Sequence, residues 1–308
     1  MQQEIQNMDI KDLLNDDELI RTYPFLRRLC YKIYIKKLYY EVKDLLPADF
    51  LRKLQIEFPQ RYWELWLMAH FKKCCQITRN PTDLGPDITI TLGDTKVHVE
   101  ANIPNQGTTK DQVLPFPIVS MHDVKDDKTG LVVSDENKRV EKMALRYANS
   151  INEKKIQYEK WIADNVIYPS ECYILALNSY YLEDVHINDP LSIETTLFSI
   201  GPDSVILDRT TLQPQRYEFM RKETITKHTG TEVKIGHFLD KNFDFISGIL
   251  YSSRLFDPLQ QCILIKNPYA KNPLPDDSDL SVLKLHILAM EENQYKSYKG
   301  RIYRFNTK

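Results

Sequence analysis

Hydrophobic and polar positions change their period several times along this chain, and each change marks a predicted element. Across residues 84–107 (LGPDITITLGDTKVHVEANIPNQG) the apolar residues alternate, with Ile88 and Ile90 on one face of a first strand and Val97 and Val99 on one face of a second. That is the period of a half-buried sheet. Gly93-Asp94 lies between the strands, and glycine at the first central position suits a type II′ hairpin turn. The hairpin returns Asp87, at the head of the first strand, and Glu100, near the tail of the second, to the same end.

Upstream, residues 61–71 (RYWELWLMAHF) are apolar on nearly every side, which predicts a helix buried all round with Glu64 as its only acid. Downstream, Ser134 reads as the N-cap of a long helix reaching about residue 162, with Asp135 and Glu136 in its first turn. Its seam includes Met143, Tyr147, Ile151, Tyr158 and Trp161 at helical spacing. One apolar step is missing between Ile151 and Tyr158. Lys154 or Lys155 fills it, so an ammonium either points toward the sheet or snorkels past it, burying only its stem.

Further apolar runs of strand length occur at CYILALN, GILYS and CILIK, and residues 280–292 read as a closing helix. Residues 1–58 read as helical over 10–20, 24–42 and 48–58, with prolines at the starts. The middle helix carries Arg28, Lys32 and Lys36 four apart on one face with tyrosines interleaved: a solvated face, or a track for phosphates. Residues 103–133 form a long connection passing beside the hairpin end, either a lid that touches substrate or a disordered insertion. DVHIND (184–189) has the composition of a polar loop, though its side chains are metal-capable.

Together these elements predict an α/β fold with a mixed central β-sheet flanked by helices. A helical region (1–58) precedes an α/β domain (59–308) that ends in a sheet extension. With 308 residues, 42% of them hydrophobic, the chain can bury a substantial core. A net charge of −2 excludes a uniformly basic coat, so nucleic-acid binding must come from local patches. Five cysteines without a Cys-x-x-Cys pair indicate neither a disulfide framework nor a structural zinc, which points to a reducing compartment. No signal peptide and no run of roughly 18 apolar residues is present, so no membrane is expected and the cytoplasm is the expected location. GxGxxG, GxxxxGK[ST] and G-x-S-x-G are absent, which leaves kinase, dehydrogenase and serine-hydrolase chemistry without residues.

The candidate chemistry lies in the acids. Asp87 and Glu100 brought together repel, and a shared hard cation such as Mg²⁺ or Mn²⁺ relieves that; alternatively both merely cap a solvated hairpin. Glu64, a buried carboxylate, needs a cation as well: the same metal, or a basic side chain such as Arg61.

A helix bearing Glu64, then Gly85-Pro86-Asp87 opening a strand, then Glu100-Ala101-Asn102 closing the next, resembles the PD-(D/E)XK phosphodiesterase superfamily of restriction-endonuclease-like nucleases. The resemblance covers roughly residues 59–178 and implies a restriction-endonuclease-like core that hydrolyses phosphodiester bonds in nucleic acid, DNA before RNA. It implies that Asp87, Glu100 and the carbonyl of Ala101 hold Mg²⁺ (or Mn²⁺), with Glu64 binding a second ion or orienting the ligands. The family pattern ends in Glu-X-Lys, and Asn102 stands where the lysine belongs. Some members supply such a residue from a neighbouring element, and on that resemblance Lys154 takes the catalytic role of positioning or deprotonating the attacking water. The alternative is a nuclease-like fold without catalysis that binds nucleic acid or protein. A homodimer is compatible with either reading.

Overall fold

The computed structural model describes residues 9–78, 84–108, 110–113, 123–125, 132–182, 191–207, 210–211, 214–256, 262–275, 290–291, 294–296 and 302–304. It begins with helices α1 (Ile10–Leu13), α2 (Asp17–Thr22), α3 (Leu29–Val42), α4 (Phe50–Ile56) and α5 (Phe58–Phe71). Strand β1 (Gln76–Thr78) and the hairpin of β2 (Ile88–Leu92) and β3 (Thr95–Asn102) follow. Next come a short ribbon of β4 (Asp123–Lys125) and β5 (Val132–Ser134), the long helix α6 (Asp135–Ala163), strand β6 (Cys172–Asn178) and helix α7 (Leu191–Phe198). Two further ribbons pair β7 (Ile200–Leu207) with β8 (Pro214–Arg221), and β9 (Thr224–Thr226) with β10 (Glu232–Lys234). Strands β11 (Gly248–Ser252) and β12 (Ile263–Lys266) complete the central sheet, and β13 (Met290–Glu291), β14 (Gln294–Lys296) and β15 (Ile302–Arg304) form a separate small one.

The central sheet has six strands in the order β1-β2-β3-β6-β11-β12. β6 lies parallel to both β3 and β11, whereas the outer pairings are antiparallel, so the sheet is mixed. The hairpin register pairs Ile88 with Val99 and Ile90 with Val97. These four residues face one apolar cluster together with α5 and the N-terminal helices, which therefore share a continuous core with the sheet. The opposite face, with Tyr173, Leu175 and Leu177 of β6, packs against Met143, Tyr147, Ile151, Tyr158 and Trp161 of α6 and against α7. Every residue of β6 is buried, as expected of a strand covered on both faces. Gly93 takes a left-handed φ of 58° in the two-residue turn, which a glycine accepts without steric cost.

Three expectations need correction. Residues 10–20 are two helices, because the Asp16 carboxylate accepts from the Leu19 N–H and caps a new start. Arg28 lies in an extended conformation just before α3, so it leaves the row of Lys32 and Lys36, and the Lys32 ammonium is taken up by Asn15 Oδ1 at 2.7 Å. Met290 and Glu291 are strand rather than helix, paired with Tyr295 and Gln294. The rest of that predicted helix, and the DVHIND segment, lie outside the described residues. Parts of the long connection after β3 are ordered: Val113 N–H donates to the Gln106 carbonyl at 3.0 Å, and β4 pairs with β5. Among the described residues no helix is long and apolar enough to cross a membrane, and all five cysteines are free.

α5 is the element that fastens the two layers. Trp63 is fully buried, stacks on Trp66 with ring centroids 5.4 Å apart, and donates its indole N–H to the Ala176 carbonyl of β6 at 3.0 Å. Trp63→Ala removes a large buried side chain together with its bond to that carbonyl. Its urea midpoint is expected to fall by the equivalent of about 3–5 kcal/mol; a change below about 1 kcal/mol would show that α5 is not anchored this way.

Candidate functional site

The hairpin end is interlocked by its own main chain. Asp87 Oδ2 accepts from the Ala101 N–H at 2.9 Å, and Glu100 Oε2 accepts from the Asp87 N–H at 3.3 Å. Each acid is thus held by the opposite strand, and the pair is brought to one end as the turn geometry requires. Glu100 is 4% exposed and Glu64 6%, while Asp87 is half-buried.

Lys154 reaches this pair from α6. Its ammonium donates to Glu100 Oε1 at 2.6 Å and to Gln157 Oε1 at 2.9 Å. Lys155, one residue on, turns away and pairs with Glu159. The vacant step in the α6 seam is therefore filled by Lys154, and the vacancy serves a specific contact rather than a snorkelling stem. Asn102 donates its amide to Ser150 Oγ of the same helix, fixing the end of β3 against α6 one turn before Lys154.

Glu64 approaches from the other layer. Arg61 Nη1 donates to both of its oxygens, at 2.9 and 2.8 Å, and the same guanidinium holds Glu57 Oε2 at 2.8 Å. Of the two partners the sequence allows, the structure supplies the arginine. With both oxygens bonded to Arg61, Glu64 has the geometry of the orienting role, one of the two expected for it. Gln60 carries that role to the hairpin: its amide donates to Glu64 Oε1 at 3.0 Å and to the Ala101 carbonyl at 3.1 Å, and its oxygen accepts from the Ile103 N–H at 3.2 Å. Sequence reasoning missed Gln60 because a glutamine at a helix start carries no distinguishing pattern. It missed Gln157 as well, a polar residue one turn after Lys154 that the apolar seam does not mark.

Burial of so many acids shifts their titration. Glu64 is pushed up to about 8 by burial and by the charge on Asp87, against the opposing pull of Arg61 and Gln60. Asp87 rises to about 8 through burial and the charge on Glu100, with the Ala101 N–H and Lys154 opposing. Glu100 is also raised by burial, although Lys154 pulls it down. The site holds more negative charge than its two nearby cations offset.

The donor set suits a hard cation. Among the described residues no group of three or more His, Cys, Asp or Glu side chains is placed to hold an ion alone. Mg²⁺ does not require one, since it is usually bound by one or two carboxylates and completes its octahedron with water and substrate phosphate. Asp87, Glu100 and the Ala101 carbonyl, which keeps a second lone pair beside its bond to Gln60, meet that requirement. These acids border a cleft of about 260 Å³ between α5, the β2 entry and the residues joining α3 to α4.

Comparison with protein-family models, with curated proteins and with solved structures finds no match to this chain.

Two carboxyls titrating near 8 rather than near their ordinary value make stability depend on pH in a definite sense. The folded chain binds more protons than the unfolded one between those values, so this contribution is complete in acid and is lost as pH rises through about 8. Without divalent ions the melting temperature is expected to fall between pH 5 and pH 9, and Asp87→Asn is expected to flatten that slope. At pH 8, Mg²⁺ is expected to raise the melting temperature of the wild type and not that of Asp87→Asn. Equal responses of the two proteins to Mg²⁺ would remove Asp87 from the ligand set.

Proposed function

We propose that this protein is a divalent-metal-dependent phosphodiesterase acting on nucleic acid, a nuclease of the PD-(D/E)XK kind. The observation that carries the reading is the Lys154 ammonium, which reaches from α6 to within 2.6 Å of Glu100, the acid two residues before Asn102. An acid pair on a hairpin is common; an acid pair met by an isolated lysine from a separate helix is an arrangement suited to general acid–base work.

Asp87 and Glu100, with the Ala101 carbonyl, hold Mg²⁺ or Mn²⁺. When bound, the ion supplies Lewis-acid stabilisation of charge building on the phosphate oxygens and lowers the pKa of water. The chain's own residues do the rest. The crossed bonds between Asp87, Ala101 and Glu100 fix both carboxylates before any ligand arrives, so little ordering cost remains at binding. Lys154, oriented by Gln157, positions the attacking water and carries hydrogen-bond donors toward the phosphate. Arg61, Glu64 and Gln60 hold the backbone at residues 101–103, which keeps the Ala101 carbonyl aimed.

A second reading, a nuclease-like fold that only binds nucleic acid or protein, draws on Asn102, whose amide is committed to Ser150. Incubation of the purified chain with plasmid DNA separates the two. Cleavage is expected in Mg²⁺ or Mn²⁺ and none in EDTA. Asp87→Ala, Glu100→Ala and Lys154→Ala are each expected to lower the rate at least about a hundredfold. Lys155→Ala, whose side chain pairs with Glu159, is expected to retain it. DNA binding without divalent-dependent cleavage of any substrate would establish the binding module instead.

A further inference from the structure

We infer that the cleft beside Asp87 and Glu100 takes a single unpaired nucleotide, so that the substrate is a single strand or an unpaired segment and not an intact duplex. The inference rests on the phosphodiesterase reading for its chemistry, and on the shape and charge of the cleft for its content.

The cleft has two unlike sides. Its acidic side is Glu64, Asp87 and Glu100, where a phosphate and its cation belong. Its other side is apolar: Leu46 and Pro47 come from the connection between α3 and α4, Phe50 from the start of α4, and Met68 and Ile77 from α5 and β1. Glu64 and Glu100 are almost fully covered and Asp87 is half-buried, and all three border the cleft that this wall faces. About 260 Å³ admits a group of nucleoside size and not a double helix.

Charge leads to the same occupant. Duplex binding relies on rows of cations, each neutralising a phosphate. The two basic residues on this cleft are already committed: Lys53 to Asp49 at 3.1 Å, and Arg61 to Glu57 and Glu64, each at 2.8 Å. A wall that offers apolar surface in place of free cations recognises the face of a base, which pairing and stacking hide in a duplex. The N-terminal region, which supplies Leu46 and Pro47 between α3 and α4 and Phe50 at the start of α4, thereby acts as the selecting wall of the site.

The test compares one labelled oligonucleotide as a single strand, as a blunt duplex and as a duplex with an internal gap, all with the purified full chain in Mg²⁺. Cleavage of the single strand, and of the gapped duplex within its unpaired segment, is expected at least about tenfold faster than cleavage of the blunt duplex. Equal or faster cleavage of the blunt duplex overturns the inference while leaving the phosphodiesterase reading intact. If nothing is cut in Mg²⁺ or Mn²⁺, that reading fails, and fluorescence anisotropy in Ca²⁺ decides the inference alone. Tenfold tighter binding of the single strand then supports it, and equal or tighter duplex binding overturns it. Thr78→Trp tests the cleft itself, because Thr78 is an exposed residue of the edge strand β1 at its rim, where a large ring obstructs entry without disturbing the core. At least fivefold weaker binding of the single strand by Thr78→Trp is expected, and unchanged binding counts against the cleft as the site.

Discussion

The interaction on which the rest depends is the crossing of main chain and carboxylate at the end of the hairpin. Asp87 is held by the Ala101 N–H, and Glu100 is held by the Asp87 N–H, so two groups that repel cannot separate without breaking backbone bonds. Such repulsion in a buried place is costly, and the surroundings answer it from both layers of the fold. Lys154 comes from the helix on one face of the sheet, and Arg61 acts through Glu64 from the helix on the other. The site is the place where the two layers meet across β3.

This explains why α5 is apolar on all sides yet carries one acid. A helix buried all round has no solvent with which to neutralise Glu64, and the carboxylate is tolerated because Arg61 lies one turn earlier, with its guanidinium forked between Glu57 and Glu64. Gln60 completes the frame by satisfying two main-chain groups at the end of β3, the Ala101 carbonyl and the Ile103 N–H. The polar network is small, and nearly every member has two partners.

Where a pattern had a single physical cause, the sequence could be read. The alternation in β2 and β3 had one outcome because one face had to be buried, and the register followed from the two-residue turn. A lysine at 154 or 155 was readable because it interrupted a seam of apolar residues that packing otherwise fills, but the seam did not say which of the two meets the acids. Where two causes competed, the sequence left the choice open: Glu64 had an arginine or a metal shared with the hairpin acids as its possible cation, and the bonds that the structure shows are to Arg61. Arg28 sits at helical spacing from Lys32, yet the chain turns at the start of α3, and nothing in the spacing signals the break. Gln60 was unreadable for a different reason. Its importance comes from what the backbone at Ala101 and Ile103 lacks, and an unpaired main-chain group leaves no mark in the sequence.

The parallel pairing of β6 with β3 has a consequence for the order in which the protein forms. The hairpin closes over two residues and needs no distant partner, whereas β6 joins β3 only after the chain between Asn102 and Cys172 has been brought back, with α6 laid down on the way. Long closures are slow because their entropy is spent before any contact rewards it. Through that interval Asp87 and Glu100 are already side by side while Lys154 has yet to dock. The hairpin's two carboxylates thus belong to a local unit, whereas the ammonium that meets Glu100 belongs to a helix that comes later in the chain.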